Sequence, residues 1–166
     1  MSFENAAFET WPNGSDEFDL VISGTAFHWV TEAGYRQLLR VLRPHGAVGV
    51  FWHTFLSRRD PIHKKLDLIY RKHAPHLHAD DLDAAQEMKD RRREEQMLSW
   101  AEFAEWRVIR YYSSIRYSAK GYLDLVKTWL DHAGLSDAFF RSAGSLIEYA
   151  GGEIVMPIRT TLCFGR

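Results

Sequence analysis

The sequence predicts an α/β fold built around a mostly parallel sheet, and two observations carry that prediction. Phe18-Asp19-Leu20-Val21-Ile22-Ser23 and Ala47-Val48-Gly49-Val50-Phe51-Trp52 are short apolar runs rich in β-branched residues, the pattern of strands buried on both faces. Between them Tyr35, Leu38, Leu39 and Leu42 recur at helical spacing and form one apolar face. A strand, a crossover helix and a second strand imply parallel pairing through a right-handed connection.

Taken in order, residues 2–7 have the pattern of a brief strand, and Pro12-Asn13-Gly14-Ser15-Asp16 is a turn. The first buried strand follows. Thr31 is placed to cap the crossover helix, with Glu32 in the first turn, where the helix dipole favours negative charge. Arg40 and Arg43 lie near its end, and Pro44-His45-Gly46 is read as its stop. Residues 54–99 read as a helical insertion covering the sheet edge. Leu66, Ile69 and Tyr70 mark one helix, and residues 84–99 a second whose charge run at 89–95 reads as a solvated face. Residues 107–117 alternate as a half-buried strand. Tyr122, Leu125, Val126 and Trp129 define a helix over 121–132, with Gly134 past its end. Residues 137–149 form another, closed by Gly151-Gly152, and 153–164 a final strand. The two late strands are expected to pair antiparallel at a sheet edge.

The chain has 166 residues, which suits one domain over 1–166 with 54–99 as its insertion. A net charge of −1 steers away from nucleic acid and anionic membrane surfaces. The single cysteine, Cys163, excludes an intrachain disulfide and a cysteine-based zinc site; in its apolar run it reads as a buried thiol sooner than a nucleophile. The first residues lack the pattern of a signal peptide, and no apolar run reaches membrane-spanning length, so a cytoplasmic protein is expected.

In open α/β sheets ligands bind at the carboxyl ends of the strands. Here those ends are residues 23–30 and 52–55. Ser23, Gly24 and Thr25 are small enough for a ligand to approach the backbone, and His28 and Trp29 set a titratable ring beside a flat aromatic wall. The alternative for His28 is a hydrogen-bonded structural histidine. His73, His76 and His78 with Asp80 and Asp81 have the residue types of a metal site, but Pro75 and the irregular spacing argue against one, and no metal is expected. Trp106, Arg107, Arg110, Tyr111, Tyr112, Arg116 and Tyr117 mix aromatic and basic residues as single-strand binders do; a half-buried strand explains them more simply.

The run Phe18-Asp19-Leu20-Val21-Ile22-Ser23-Gly24-Thr25-Ala26-Phe27-His28-Trp29-Val30, followed by Arg40-Val41-Leu42-Arg43-Pro44-His45-Gly46, resembles a signature of class I S-adenosylmethionine (SAM)-dependent methyltransferases. The likeness is to the small-molecule branch that includes trans-aconitate-type enzymes. Tyr117-Ser118-Ala119-Lys120-Gly121-Tyr122-Leu123-Asp124-Leu125 and the closing strand after Gly151-Gly152 resemble that branch too. The resemblance implies a partial Rossmann-like methyltransferase sheet with an antiparallel final strand. It implies SAM as cofactor and a small-molecule methyl acceptor, a carboxylic acid being one candidate. Ser23, Gly24 and Thr25 would face the methionine end of SAM, Ala7 and Phe8 the adenine, and His28 and Trp29 the acceptor. Tyr122 and Arg159 would orient a carboxylate, because Arg can grip one with two bonds; otherwise they are core and surface residues.

Two departures accompany it. The family's glycine-rich cofactor loop and its ribose-binding acidic residue have no counterpart here, so the chain resembles a methyltransferase lacking its N-terminal cofactor segment. His45 stands where the family has the first Gly of a Pro-Gly-Gly turn, a substitution costing about 1 kcal/mol at positive φ. In the family the strand matching 18–23 has neighbours on both sides. Here an exposed apolar edge is expected, and such edges recruit a second copy, giving a homo-oligomer. The competing expectation is a non-catalytic remnant acting as an oligomerising module.

Overall fold

In the computed structural model, the structure describes residues 5–12, 15, 17–56, 60–78, 82–100 and 102–166. The elements are β1 (Phe18–Gly24), α1 (Glu32–Val41), β2 (Leu42–Phe55), α2 (Pro61–His73), α3 (Leu82–Leu98), β3 (Trp106–Ser118), α4 (Ala119–Lys127), α5 (Asp137–Tyr149) and β4 (Glu153–Gly165). The fold is mixed α/β, and among the described residues four strands form one sheet in the order β1-β2-β4-β3. No described helix is long and apolar enough to cross a membrane.

β1 and β2 pair in parallel, with Leu20 opposite Ala47 and Gly24 opposite Phe51, as the strand–helix–strand pattern predicts. Between Phe18 and Leu20 the register slips, because Phe18 faces Leu42. Residues 43–46 are absorbed there, with His45 at φ 66°. Pro44-His45-Gly46 is therefore an irregularity inside β2 and not the helix stop; α1 has already ended at Val41. Cross-strand contacts fix the direction of β4. His53 Nδ1 lies 2.9 Å from Thr160 Oγ1, the Leu162 side chain lies over the earlier Gly49, and the later Leu56 N–H donates to Pro157 O at 3.0 Å. Against β3, Glu105 exchanges backbone hydrogen bonds with Arg166, while Arg116 pairs with Glu153. Residue numbers fall along β4 as they rise along both neighbours, so β4 is antiparallel to each. The late antiparallel strand is thus as expected, but it lies inside the sheet and β3 takes the edge.

The apolar run of β1 predicts burial on both faces. Instead Leu20 and Ile22 are 51% and 69% exposed. Composition reports a preference for apolar surroundings, whereas burial depends on neighbours, and among the described residues β1 has one strand neighbour. Likewise β3 alternates only as far as Ile109; Tyr111, Tyr112 and Ile115 beyond it are exposed. Residues 5–7 are not strand, and 2–4, 13, 14 and 16 lie outside the described residues.

The chain forms two compact units. The first comprises Met1–His53, Asp90–Tyr111 and Thr160–Arg166, the second Thr54–Lys89 and Tyr112–Arg159. In the first, Phe27, Leu38, Val48, Val50, Trp52, Met97 and Cys163 share one core. Cys163 is buried as expected, and burial pushes its thiol up to about 12, with the Glu94 carboxylate adding to it, which disfavours the thiolate. In the second, Leu66, Tyr122, Val126, Phe139, Ile147 and Ile154 form the core. Its helices start on side-chain caps: Asp60, Ser118 and Ser136 accept backbone N–H bonds from His63, Gly121 and Phe139. α4 is shorter than predicted, ending at Lys127, and residues 130–132 form a separate 3-10 turn before Gly134 at φ 93°.

Candidate functional site

β1 ends at Gly24, directly opposite Phe51. A Cβ on Gly24 would sit 2.7 Å from the Phe51 ring, so a glycine lets the two strand ends close. Thr25 follows with φ 56°, a left-handed backbone that is rare for a β-branched residue. Its N–H donates to Phe51 O at 2.8 Å. Gly24 and Thr25 are exposed, and Ser23 is half-buried. The next residues make a 3-10 turn, Phe27–Trp29. Phe27 is anchored in the core and packs edge-on against Trp100, which leaves His28 half-buried and turns Trp29 outward. Their rings lie 5.0 Å apart. Trp29 is 70% exposed. Burial, with help from the Arg93 charge, lowers the His28 pKa and favours the neutral ring. His28 Nδ1 is buried and has no hydrogen-bond partner among the described residues, so the reading of His28 as a hydrogen-bonded structural histidine has no support at that atom.

Ala7 and Phe8 are held close to this loop. Phe8–Thr10 is a 3-10 turn, and Glu9 within it accepts the N–H of Thr31 at 3.4 Å and its hydroxyl at 3.3 Å. The Glu9 backbone N–H, then the Thr31 N–H and hydroxyl, lower the pKa of the Glu9 carboxyl. Thr31 is at the N-cap position of α1 as predicted, but its hydroxyl serves Glu9 in place of capping. Gln37 and Arg40 of α1 both donate to Trp11 O, at 2.8 and 3.3 Å, holding Trp11 against the helix. Seven of the predicted site residues, Ala7, Phe8, Ser23, Gly24, Thr25, His28 and Trp29, therefore fall in the first unit.

Tyr122 and Arg159 fall in the second. Tyr122 is fully buried, its hydroxyl 3.5 Å from that of Tyr70. Tyr70 OH lies 3.1 Å from His132 Nε2, and His132 Nδ1 lies 2.7 Å from Asp131. Burial pushes Tyr70 up to about 12 and Tyr122 well above the usual tyrosine value. Arg159 is buried and donates to Glu87 at 2.8 Å. Among the described residues no three metal-ligating side chains come together; Asp80 and Asp81 lie outside those residues.

Sequence reasoning passed over Arg93, Trp52 and Thr161. Arg93 sits in the charge run assigned to solvent, yet its guanidinium lies 5.6 Å from the centre of the buried Trp52 ring. The signal was the spacing of Asp90, Arg93 and Met97, one helical face that carries the buried Met97.

No family model matches the chain, and no curated protein matches it by sequence. Solved structures do. The chain is similar to a protein provisionally named a type II methyltransferase from Anaeromyxobacter dehalogenans, with TM-score 0.59 and 16% identity over 96% of this chain and 68% of that one. It also matches the YcgJ protein of Bacillus subtilis (TM-score 0.47, 16% identity, 98% of this chain, 69% of that one). A provisionally named methyltransferase of Bacillus halodurans C-125 matches at TM-score 0.46 and 11% identity, over 97% and 69%. The first shows that the chain shares that protein's α/β fold.

Proposed function

We propose that this chain is a SAM-dependent methyltransferase of a small molecule, akin to the trans-aconitate branch, working at the loop that follows β1. The observation that carries this reading is the conformation of Thr25. A β-branched residue in the left-handed region costs about 1–3 kcal/mol and persists where its surroundings dictate it, commonly at ligand sites. The donor set suits the amino-acid end of SAM: small residues at the mouth of a parallel strand pair, with the Ser23 and Thr25 hydroxyls beside open backbone. Ala7 offers no side-chain bond to the adenine amine, so Phe8 would supply apolar contact alone.

Bound SAM would supply an electrophilic methyl group on a sulfonium. The chain's own part is positioning, which suffices for a displacement with so good a leaving group. His28, held neutral, can accept a proton from an acceptor that carries one, and Trp29 gives the acceptor a flat wall. Calorimetric titration with SAM and S-adenosylhomocysteine tests the reading. Saturable heat is expected; none at millimolar ligand would overturn it.

A second reading, a self-associating module, draws on one specific observation. The edge strand β1 exposes Leu20 and Ile22. Self-pairing of such an edge is compatible with catalysis and gives the homo-oligomer.

A further inference from the structure

The face of the sheet that carries the first unit's core holds polar atoms the fold leaves unanswered. Trp52 is 2% exposed, and its Nε1–H has no acceptor among the described residues. Because His53 faces Thr160, Trp52 faces Thr161 on the opposite side of the sheet. Thr161 is 1% exposed, and its hydroxyl is also without a partner among the described residues. His28 Nδ1 is a third such atom in the same unit. A buried polar group left unpaired is costly, and native folds seldom tolerate several together.

Arg93 joins them. Its guanidinium lies over the Trp52 ring, and its charge reaches His28. Its side chain is 25% exposed, which opens the group to solvent on one side. The bond from Nη1 to Asp90 measures 3.4 Å, well beyond the usual length for a charged pair. The other guanidinium N–H groups have no acceptor among the described residues. Among the described residues the first unit thus holds an indole donor, a hydroxyl and an imidazole nitrogen without partners, and a cation over the indole ring.

We propose that Arg93 and Trp52 Nε1, with Thr161 and His28 beside them, bind the oxyanion of an organic ligand, a carboxylate or phenolate. Two donors of fixed direction and one positive charge match an oxygen that carries negative charge, whereas a neutral amide would leave the charge uncompensated. If the methyl-transfer reading holds, that ligand is the methyl acceptor, and the inference rests on the reading for this identification alone; the binding does not require SAM.

The test uses the full chain labelled at its tryptophan indoles, with the Trp52 resonance assigned by Trp52→Phe. Benzoate is titrated in the absence of SAM, with benzamide as its neutral counterpart. Benzoate is expected to move the Trp52 indole signal saturably, benzamide to leave it in place, and Arg93→Gln to weaken benzoate about ten-fold or more. Arg93→Lys keeps the charge and is expected to weaken it less, which guards against a Gln variant that fails to fold. An indole signal unmoved by benzoate, or moved equally by benzamide, overturns the proposal. Benzoate binding without SAM binding would uphold the pocket and sink the methyltransferase reading; SAM binding with a silent indole would do the reverse.

Discussion

Thr25 and Phe51 are joined by a backbone hydrogen bond of 2.8 Å that continues the β1–β2 ladder one residue past the end of β1. The bond holds Thr25 at φ 56° although threonine resists that conformation. Replacing Thr25 with Asn, which tolerates the left-handed region, is expected to stabilise the protein by up to about 1 kcal/mol. Urea unfolding measures it; a lower midpoint would show that the threonine side chain contributes contacts outweighing its strain. His45, at φ 66° inside β2, should behave alike when changed to Gly.

Tyr70 links Tyr122 to His132 in the second unit. Tyr70→Phe strands both partners and is expected to cost about 1–3 kcal/mol by denaturant unfolding. A cost within error would mean that the three groups do not act as one chain of hydrogen bonds.

The same tyrosine sets an alkaline limit. Its folded pKa, about 12, exceeds the ordinary 10.0, so the neutral hydroxyl is the form the fold favours. That stability is whole below pH 10 and drains as pH rises toward 12. Melting temperatures should fall across this interval, and Tyr70→Phe should flatten the fall. Equal slopes in both proteins would disprove the assignment.

Cys163 should resist thiol reagents in the folded protein at neutral pH and react fully once unfolded, since burial disfavours its thiolate. Rapid native labelling would mean that this part of the core opens readily.

Lysine at Leu20 or Ile22 is expected to reduce self-association in light scattering while changing stability by no more than about 0.5 kcal/mol. If the wild-type chain proves monomeric at micromolar concentration, the edge-pairing proposal fails.

Much of the scaffold was legible in local patterns. α5 is delimited by Ser136 as its cap and by Gly151-Gly152 just past its end, and both signals stand in the sequence. The parallel unit followed from spacing. What escaped was whatever depends on neighbours distant in the chain. Leu20 and Ile22 have the composition of a core strand but not the surroundings. Arg93 was assigned to solvent because hydropathy cannot tell a charge over a buried indole from one in water. Loop residues His28 and Trp29 stood out because a ring pair directly after a strand is a local feature; Trp52 and Thr161 become neighbours only once β4 inserts beside β2.

That insertion has a kinetic consequence. β4 follows the other three strands in sequence, yet it is what joins β2 to β3 in the sheet. Neither strand can complete its ladder on that side until residues 153–165 have been synthesised, so sheet closure waits on late, long-range pairing. During translation β2 and β3 present unmatched edges to the cell. Chaperone binding to the nascent chain should therefore peak before β4 emerges and decline once it docks.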